Sequence, residues 1–337
     1  MKKIIGILAA AAVAASAFAA DVSASTKIGG KLFNYAGNKI ELLTENNDSH
    51  DYAMPNITFS ISDDKAGATV KLSTDGTKTA VNMTSQTIWF KPIDALKITV
   101  GNFDVALNKE TIDWTESVTG LGGNGYLLSV NIEGFGLDLG LDAHDAFWFT
   151  KDGNADAVLK AFFVKAGYSA DFGSIGAFVK FNNDSTSGYF KYADKAGSIK
   201  NILFGAGYKN TFDPITFFVN VSAYMGNTFE WVRPEVFISG SVDAFNFAAF
   251  VAPIIIVDSN VSDKFDAEIV AKLSYQIDSV NVYAYFKDAS IMAKPFKSTI
   301  KVGASGSCGA MGWNTWFQID TGDSTSFAIP VEFTINF

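Results

Sequence analysis

The feature that most narrows the fold of this chain is an alternation of apolar and polar residues sustained over long runs. From Phe135 it reads Phe-Gly-Leu-Asp-Leu-Gly-Leu-Asp-Ala, which sets Phe135, Leu137, Leu139, Leu141 and Ala143 on one face of a strand. Gly136, Asp138, Gly140 and Asp142 fall on the other. Ile215, Phe217, Val219, Val221, Ala223 and Met225 alternate in the same way with Thr216, Asn220 and Ser222. Ala267, Ile269, Ala271, Leu273, Tyr275 and Ile277 stand opposite Asp266, Glu268, Lys272, Ser274 and Gln276. These runs are 9 to 12 residues long. Strands of soluble proteins average about five or six residues, whereas a tilted membrane-crossing strand needs about 9 to 11.

Composition sharpens the point, since 48% of the residues are hydrophobic and 14% aromatic. A secretory signal opens the chain: Lys2 and Lys3 precede an apolar run from Ile4 to Ala15, and small residues at Ala17 and Ala19 mark cleavage after Ala19. Residues 1–19 are therefore set aside, and 20–337 form one transmembrane domain. Beyond the signal no uninterrupted apolar segment is long enough for a spanning helix; the longest, Ala248 to Val257, is broken by Pro253. A membrane chain without such helices has one other architecture, because only helices and closed barrels satisfy their backbone hydrogen bonds in hydrocarbon. The expectation is an all-β, antiparallel transmembrane barrel. Its polar face must turn inward, because a lysine or arginine on the lipid face near the midplane costs about 2–4 kcal/mol.

Connections alternate between short and long. The short ones are Asp63–Lys65, Lys91–Asp94, Glu133-Gly134, Asp171–Gly173, Phe212–Pro214, Asp243-Ala244 and Asp278-Ser279. The longer, more polar ones include Gly37–Asp51, Asp104–Gly125, His144–Asp156, Asn182–Ser198, Gly226–Arg233 and Asp258–Lys264. Counting with both ends on the short-turn side gives about 18 strands, provided Ser187–Ala193 lies in a long connection; sixteen is the alternative, since Val81–Phe90 and Gly303–Gly312 blur the alternation.

The last segment, Phe327-Ala-Ile-Pro-Val-Glu-Phe-Thr-Ile-Asn-Phe337, alternates apolar residues and ends in phenylalanine. It resembles the C-terminal strand of bacterial outer-membrane β-barrels, and with the signal peptide and long amphipathic strands the resemblance covers the whole mature chain. The resemblance implies a place in the outer membrane of a Gram-negative-type envelope, in contact with its lipids. It also implies recognition of Phe333, Ile335 and Phe337 by the barrel-assembly machinery. General porins are similar more loosely: their third outer loop folds inward as a constriction, and here the third long connection is the longest and carries Asp104, Glu110, Asp113 and Glu116. Porins oppose such acids with arginines, but Arg233 is the only arginine here. The same similarity implies a homotrimer.

Such a barrel leaves a water-filled lumen, so the expected function is passive diffusion of small polar solutes and ions. Parity assigns to the lumen wall Lys27, Lys31, Lys71, Lys97, Lys165, Lys180, Lys209, Lys272, Lys287 and Lys301. It also assigns Glu133, Asp138, Asp142, Glu235, Asp243, Asp266, Glu268 and Glu332. These nearly cancel. The chain has 26 basic and 35 acidic residues; without Lys2 and Lys3 the net charge is −11, an excess that falls in the connections and predicts weak cation preference at the mouth. The same balance argues against nucleic acid as a partner.

Candidates for catalysis are few. His144 beside Asp142 and Asp145 is the best placed, with His50 elsewhere, and the expectation is that the chain is not an enzyme. One cysteine, Cys308, excludes an internal disulfide, and no ligand spacing points to a metal or cofactor. Strand-end aromatics Trp89, Phe172, Phe212, Trp231 and Trp316 are read as lipid-interface girdles. Two other functions fit the same pattern: a surface adhesin or structural barrel, and a transporter of hydrophobic compounds, although the strand pattern beginning at Val22 leaves no room for a plug. A soluble two-sheet β-protein would have shorter strands.

Overall fold

A computed structural model describes residues 21–45, 56–74, 81–110, 112, 121–142, 162–181, 202–226, 228–257 and 264–336. The expected signal sequence, His50, His144 with Asp145, and Ser187–Ala193 lie outside them. The described residues form nineteen antiparallel strands of one sheet. In chain order these are β1 (Asp21–Ala36), β2 (Lys39–Glu45), β3 (Asn56–Ser62), β4 (Ala66–Thr74), β5 (Val81–Ile93), β6 (Leu96–Phe103), β7 (Gly123–Ile132), β8 (Phe135–Asp142) and β9 (Phe162–Ala170). There follow β10 (Gly173–Phe181), β11 (Ile202–Phe212), β12 (Ile215–Met225), β13 (Phe229–Val242), β14 (Phe245–Ile256), β15 (Phe265–Ile277), β16 (Val280–Asp288), β17 (Ser298–Cys308), β18 (Met311–Asp320) and β19 (Ser326–Asn336).

From β3 to β19 each strand pairs with the next, and β1 joins the two ends. One edge of β1 pairs with β19 from Ser25↔Asn336 to Tyr35↔Phe327. Its other edge pairs with β2 through Gly30–Ala36 and then with β3 through Asp21–Lys27. The hydrogen-bonded circuit is thus continuous. Because β2 and β3 share one place beside β1, nineteen strands occupy eighteen positions, one fewer than their number. The eighteen expected from the sequence are met by the described residues, and both segments with blurred alternation, in β5 and at the β17–β18 turn, are strand.

Two boundaries differ from the sequence reading. Gly37–Asp51 is not a long connection: Gly37 and Asn38 make a two-residue turn with φ of 56° and 63°, and β2 begins at Lys39. Both residue types tolerate the left-handed backbone that matches the twist of paired strands. The third connection is also shorter at its end, since Gly123–Gly125 belong to β7. Glu133 and Asp243, assigned to the wall by parity, instead sit at exposed turns with positive φ.

The two faces separate as the alternation requires. Ile88, Val236, Leu273, Val302 and Phe333 are exposed on the outer face, where an apolar surface suits lipid. The inner face is less uniformly polar than expected. Trp231 and Trp316 are buried inside the ring, and Trp89 faces inward beneath Lys97, so none of the three belongs to an outer girdle; Phe172 and Phe212 are exposed at the turn rim. The inward rings lie against the wall because a glycine stands directly across from them. Gly67↔Trp89, Gly140↔Phe163, Gly205↔Phe178 and Gly303↔Trp316 are cross-strand pairs; a Cβ on the first three glycines would overlap the facing ring, and one on Gly303 would meet Trp316 Cβ and the ring of Tyr283.

Candidate functional site: the lumen and its inward segment

Between β6 and β7 the chain turns into the barrel, and three features of the wall hold it there. The first is a flat seat. Gly136, Gly167, Gly176 and Gly207 stand side by side on the inner face of β8–β11, in register with Asn220 of β12. Leu107 rests on this row: a Cβ on Gly176 would come within 3.2 Å of Leu107 Cδ1, and one on Gly207 within 2.8 Å of Leu107 Cδ2 and 2.9 Å of Asn108 Nδ2. The wall is thus lowered by one side chain where the segment crosses it.

The second feature is apolar. Val105 and Leu121 are buried with Phe103, Phe163, Phe178 and Leu203, and Tyr224 stacks on Trp231 in the same cluster at 5.8 Å between centroids. Further along, Ile112 is buried among Phe218, Phe237, Phe250 and Tyr285. Burying such side chains contributes about 1.5–3 kcal/mol each, so the segment carries its own core into the lumen.

The third is a polar chain running across four strands. Asn108 Nδ2 donates to Asn220 Oδ1 at 2.8 Å, and Asn220 Nδ2 donates to Asn108 O at 3.4 Å and to Glu235 Oε2 at 3.2 Å. Arg233 lies 3.4 Å from Glu235 and donates through Nη2 to Glu268 at 3.2 Å; Lys287 completes the chain at 3.0 Å from Glu268. Arg233 is 5% exposed and Glu235 0%. Charges taken so far from water persist only as pairs, and here two cations offset two carboxylates. Lys209 pairs with Glu110 of the segment, and Lys272 Nζ donates to Ile112 O at 3.3 Å.

The residues expected to line the pore therefore divide. Lys209, Glu235, Glu268 and Lys272 hold the segment or its seat. Lys165 pairs with Asp138 at 3.4 Å, and Ser129 donates to the same carboxylate at 2.6 Å, a neutral pair on the inner wall. Lys301 is buried over the rings of Tyr285 and Trp316, at 5.0 and 5.3 Å. Asp266 stands at the rim, where it accepts from Ser290 Oγ at 2.5 Å and Met292 N at 3.2 Å and ties down the connection after β16. Lys180 is half-buried on β10. Asp142 closes β8, with its side chain outside the described residues, as are Asp113, Glu116 and Phe337. Of the acids on the third connection, Asp104 pairs with Lys109 and Glu110 with Lys209. Phe333 and Ile335 point outward from β19, opposite Ile28 and Thr26. The roles of Asn108, Asn220 and the glycine row escaped the sequence reading, although four consecutive strands each carry one of these inward glycines.

No protein-family model matches the chain, and no curated protein matches it. Solved structures do. A loop-deletion mutant of OmpT, an outer membrane protein of Vibrio cholerae, aligns over 94% of this chain and 99% of its own, with a TM-score of 0.52 and 9% identity. The outer membrane protein OprD from Pseudomonas aeruginosa aligns over 94% and 93%, at 0.52 and 8%. A mutant of Rh. blastica porin aligns over 94% and 100%, at 0.50 and 11%. A continuous ring of long antiparallel strands, apolar outside, is the fold of these outer-membrane barrels, and this chain shares it.

Proposed function

We propose that this protein is a passive channel through which small polar solutes and ions diffuse across the outer membrane. The observation that carries this reading is the contrast between the two halves of the lumen. The inward residues of β12–β14 are packed under the Asp104–Ile112 segment, whereas none of the described inward residues of β3–β5 is buried. A ring of eighteen positions is wide enough to keep an aqueous path beside a filled half. The aromatic cluster is occupied by the protein's own segment, which favours a seat over a conduit for hydrophobic compounds. The work such a channel does is geometric and electrostatic and needs no group to make or break bonds.

Weak cation preference belongs to the same reading, and its support lies at the rim. Asp104 and Glu110 are each paired with a lysine, but Asp266, Asp288 and Asp320 gather where β15, β16 and β18 meet the long connections. Three carboxylates held by hydroxyl donors raise the local cation concentration at a mouth already set in an acidic chain. The outward Phe333 and Ile335 on the closing strand fit recognition by the barrel-assembly machinery.

The test is to refold residues 20–337, insert the protein into a planar bilayer and record in a potassium chloride gradient. Stable conductance steps with a reversal potential on the potassium side are expected. No steps from a protein shown to be a folded barrel would overturn the channel, and a chloride-side potential would overturn the cation preference alone.

A further inference from the structure

We infer that solutes cross on one side of the lumen only, along a wall of hydroxyl-bearing residues on β1, β3, β4 and β5, and that the β12–β14 half is closed to them. This rests on the channel reading above and places its path. Two neighbouring rows run across these strands on the inner face. One is Ser23↔Ser60↔Thr69↔Thr87, and the next is Ser25↔Thr58↔Lys71↔Ser85. Seven of the eight side chains in these two rows end in a hydroxyl, and all eight are partly or fully exposed. Ser60 and Thr69 share a hydrogen bond of 3.1 Å.

Facing across the ring, the inward positions of β12, β13 and β14 beneath the segment are buried: Asn220 and Ser222 at 2%, Arg233 at 5%, Phe250 at 0%. The same segment that buries them ties itself to Asn220, Lys209 and Lys272, and among the described residues none covers the other side. A hydroxyl donates and accepts by turning about one bond, so a row of them can exchange hydrogen bonds with a passing solute as water does, at little cost in reorganisation. The chemistry such a wall favours is that of small hydrophilic solutes rich in hydroxyl or amide groups. Lys71 adds a positive charge to the second row, and Lys97 of β6, 4.7 Å above the ring of Trp89, adds another beyond the first.

Cysteine accessibility in single channels tests the route. Cys308 is exposed near the β17–β18 turn, so the variants are made in a Cys308→Ser background. A cationic methanethiosulfonate reagent is applied to both sides of Ser60→Cys, Thr87→Cys and Ser222→Cys channels. The expected result is a stepwise loss of conductance at positions 60 and 87 and none at 222. Two path positions keep the test decisive if one variant does not insert. Channels that conduct but ignore the reagent at 60 and 87, or lose conductance equally at 222, overturn the one-sided path. A folded Cys308→Ser protein that never conducts overturns the channel itself.

Discussion

At the scale of single residues, Arg233 shows how a lone feature of composition acquires a place. It is the chain's only arginine, and it lies between Glu235 and Glu268 under the inward segment. Arg233→Met leaves two buried carboxylates with Lys287 as the remaining cation of the group. Breaking a buried pair in this way costs about 3–5 kcal/mol. The expected outcome is a lower denaturant midpoint in micelles together with noisier channels, and Arg233→Lys should recover part of both. Gly207→Ala makes a separate case, since its Cβ would press on Asn220 Oδ1 and Leu107. It should lift the segment, and single-channel recording should show a larger conductance from a barrel whose circular dichroism is unchanged. Neither role could be read from the sequence. An arginine on a strand says nothing of its partner on β15, and glycines at Gly167, Gly176 and Gly207 become a seat only when register brings them side by side.

Among the elements, the strands were the most legible part, because one face in lipid and one in the lumen impose period two without exception for pairing partner. What alternation could not show is the content of the inner face. Aromatic residues at inward positions read as girdles until the opposing glycines reveal that the rings lie along the wall. The outer face permits a direct check: Val236 and Val302 are exposed there, and a lysine at either should cost about 2–4 kcal/mol near the midplane, read as a shift in the denaturant midpoint of liposome-folded protein. The same substitution at inward Ser60 should leave that midpoint unchanged.

The turns follow a different rule. Asp63 accepts backbone N–H groups of Lys65 and Ala66, both at 2.7 Å, and these bonds hold its carboxyl below the ordinary carboxylate range. Lys65 pairs with Asp94 of the next turn, which raises the lysine and lowers the acid. A depressed carboxylate contributes above its unfolded pKa of about 3.9 and loses that contribution as pH falls through the lower folded value. Carbonyl chemical shifts of Asp63 and Asp94 should therefore titrate below that reference. Midpoints at or above it would show that these bonds do not persist in solution.

For the whole molecule, the ring and the segment inside it separate the barrel's stability from its permeability. The circuit closes through β1, which pairs with β19, β2 and β3 by backbone hydrogen bonds that owe nothing to the Asp104–Ile112 segment. The wall strands should thus close without it, while the lumen would lose Val105, Leu107, Ile112 and Leu121 and the core they make with the wall. Replacing residues 105–121 with a short Gly-Ser turn exposes that core at about 1.5–3 kcal/mol for each buried side chain lost. It also leaves Lys209 and Lys272 facing water in place of Glu110 and the Ile112 carbonyl. Three consequences follow together: the barrel still folds and inserts, its denaturant midpoint falls, and its conductance rises as the β12–β14 half opens. A Ser222→Cys variant in this shortened chain should then react with the reagent that ignores it in the full one. Unchanged conductance would mean that the segment fills space no solute was using, and a chain unable to fold would mean that it is part of the barrel's nucleus. The sequence placed this connection as the longest between strands. Its seat emerges only from the closed ring, because the residues that hold it are separated by 112 positions between Asn108 and Asn220 and by 160 between Ile112 and Lys272.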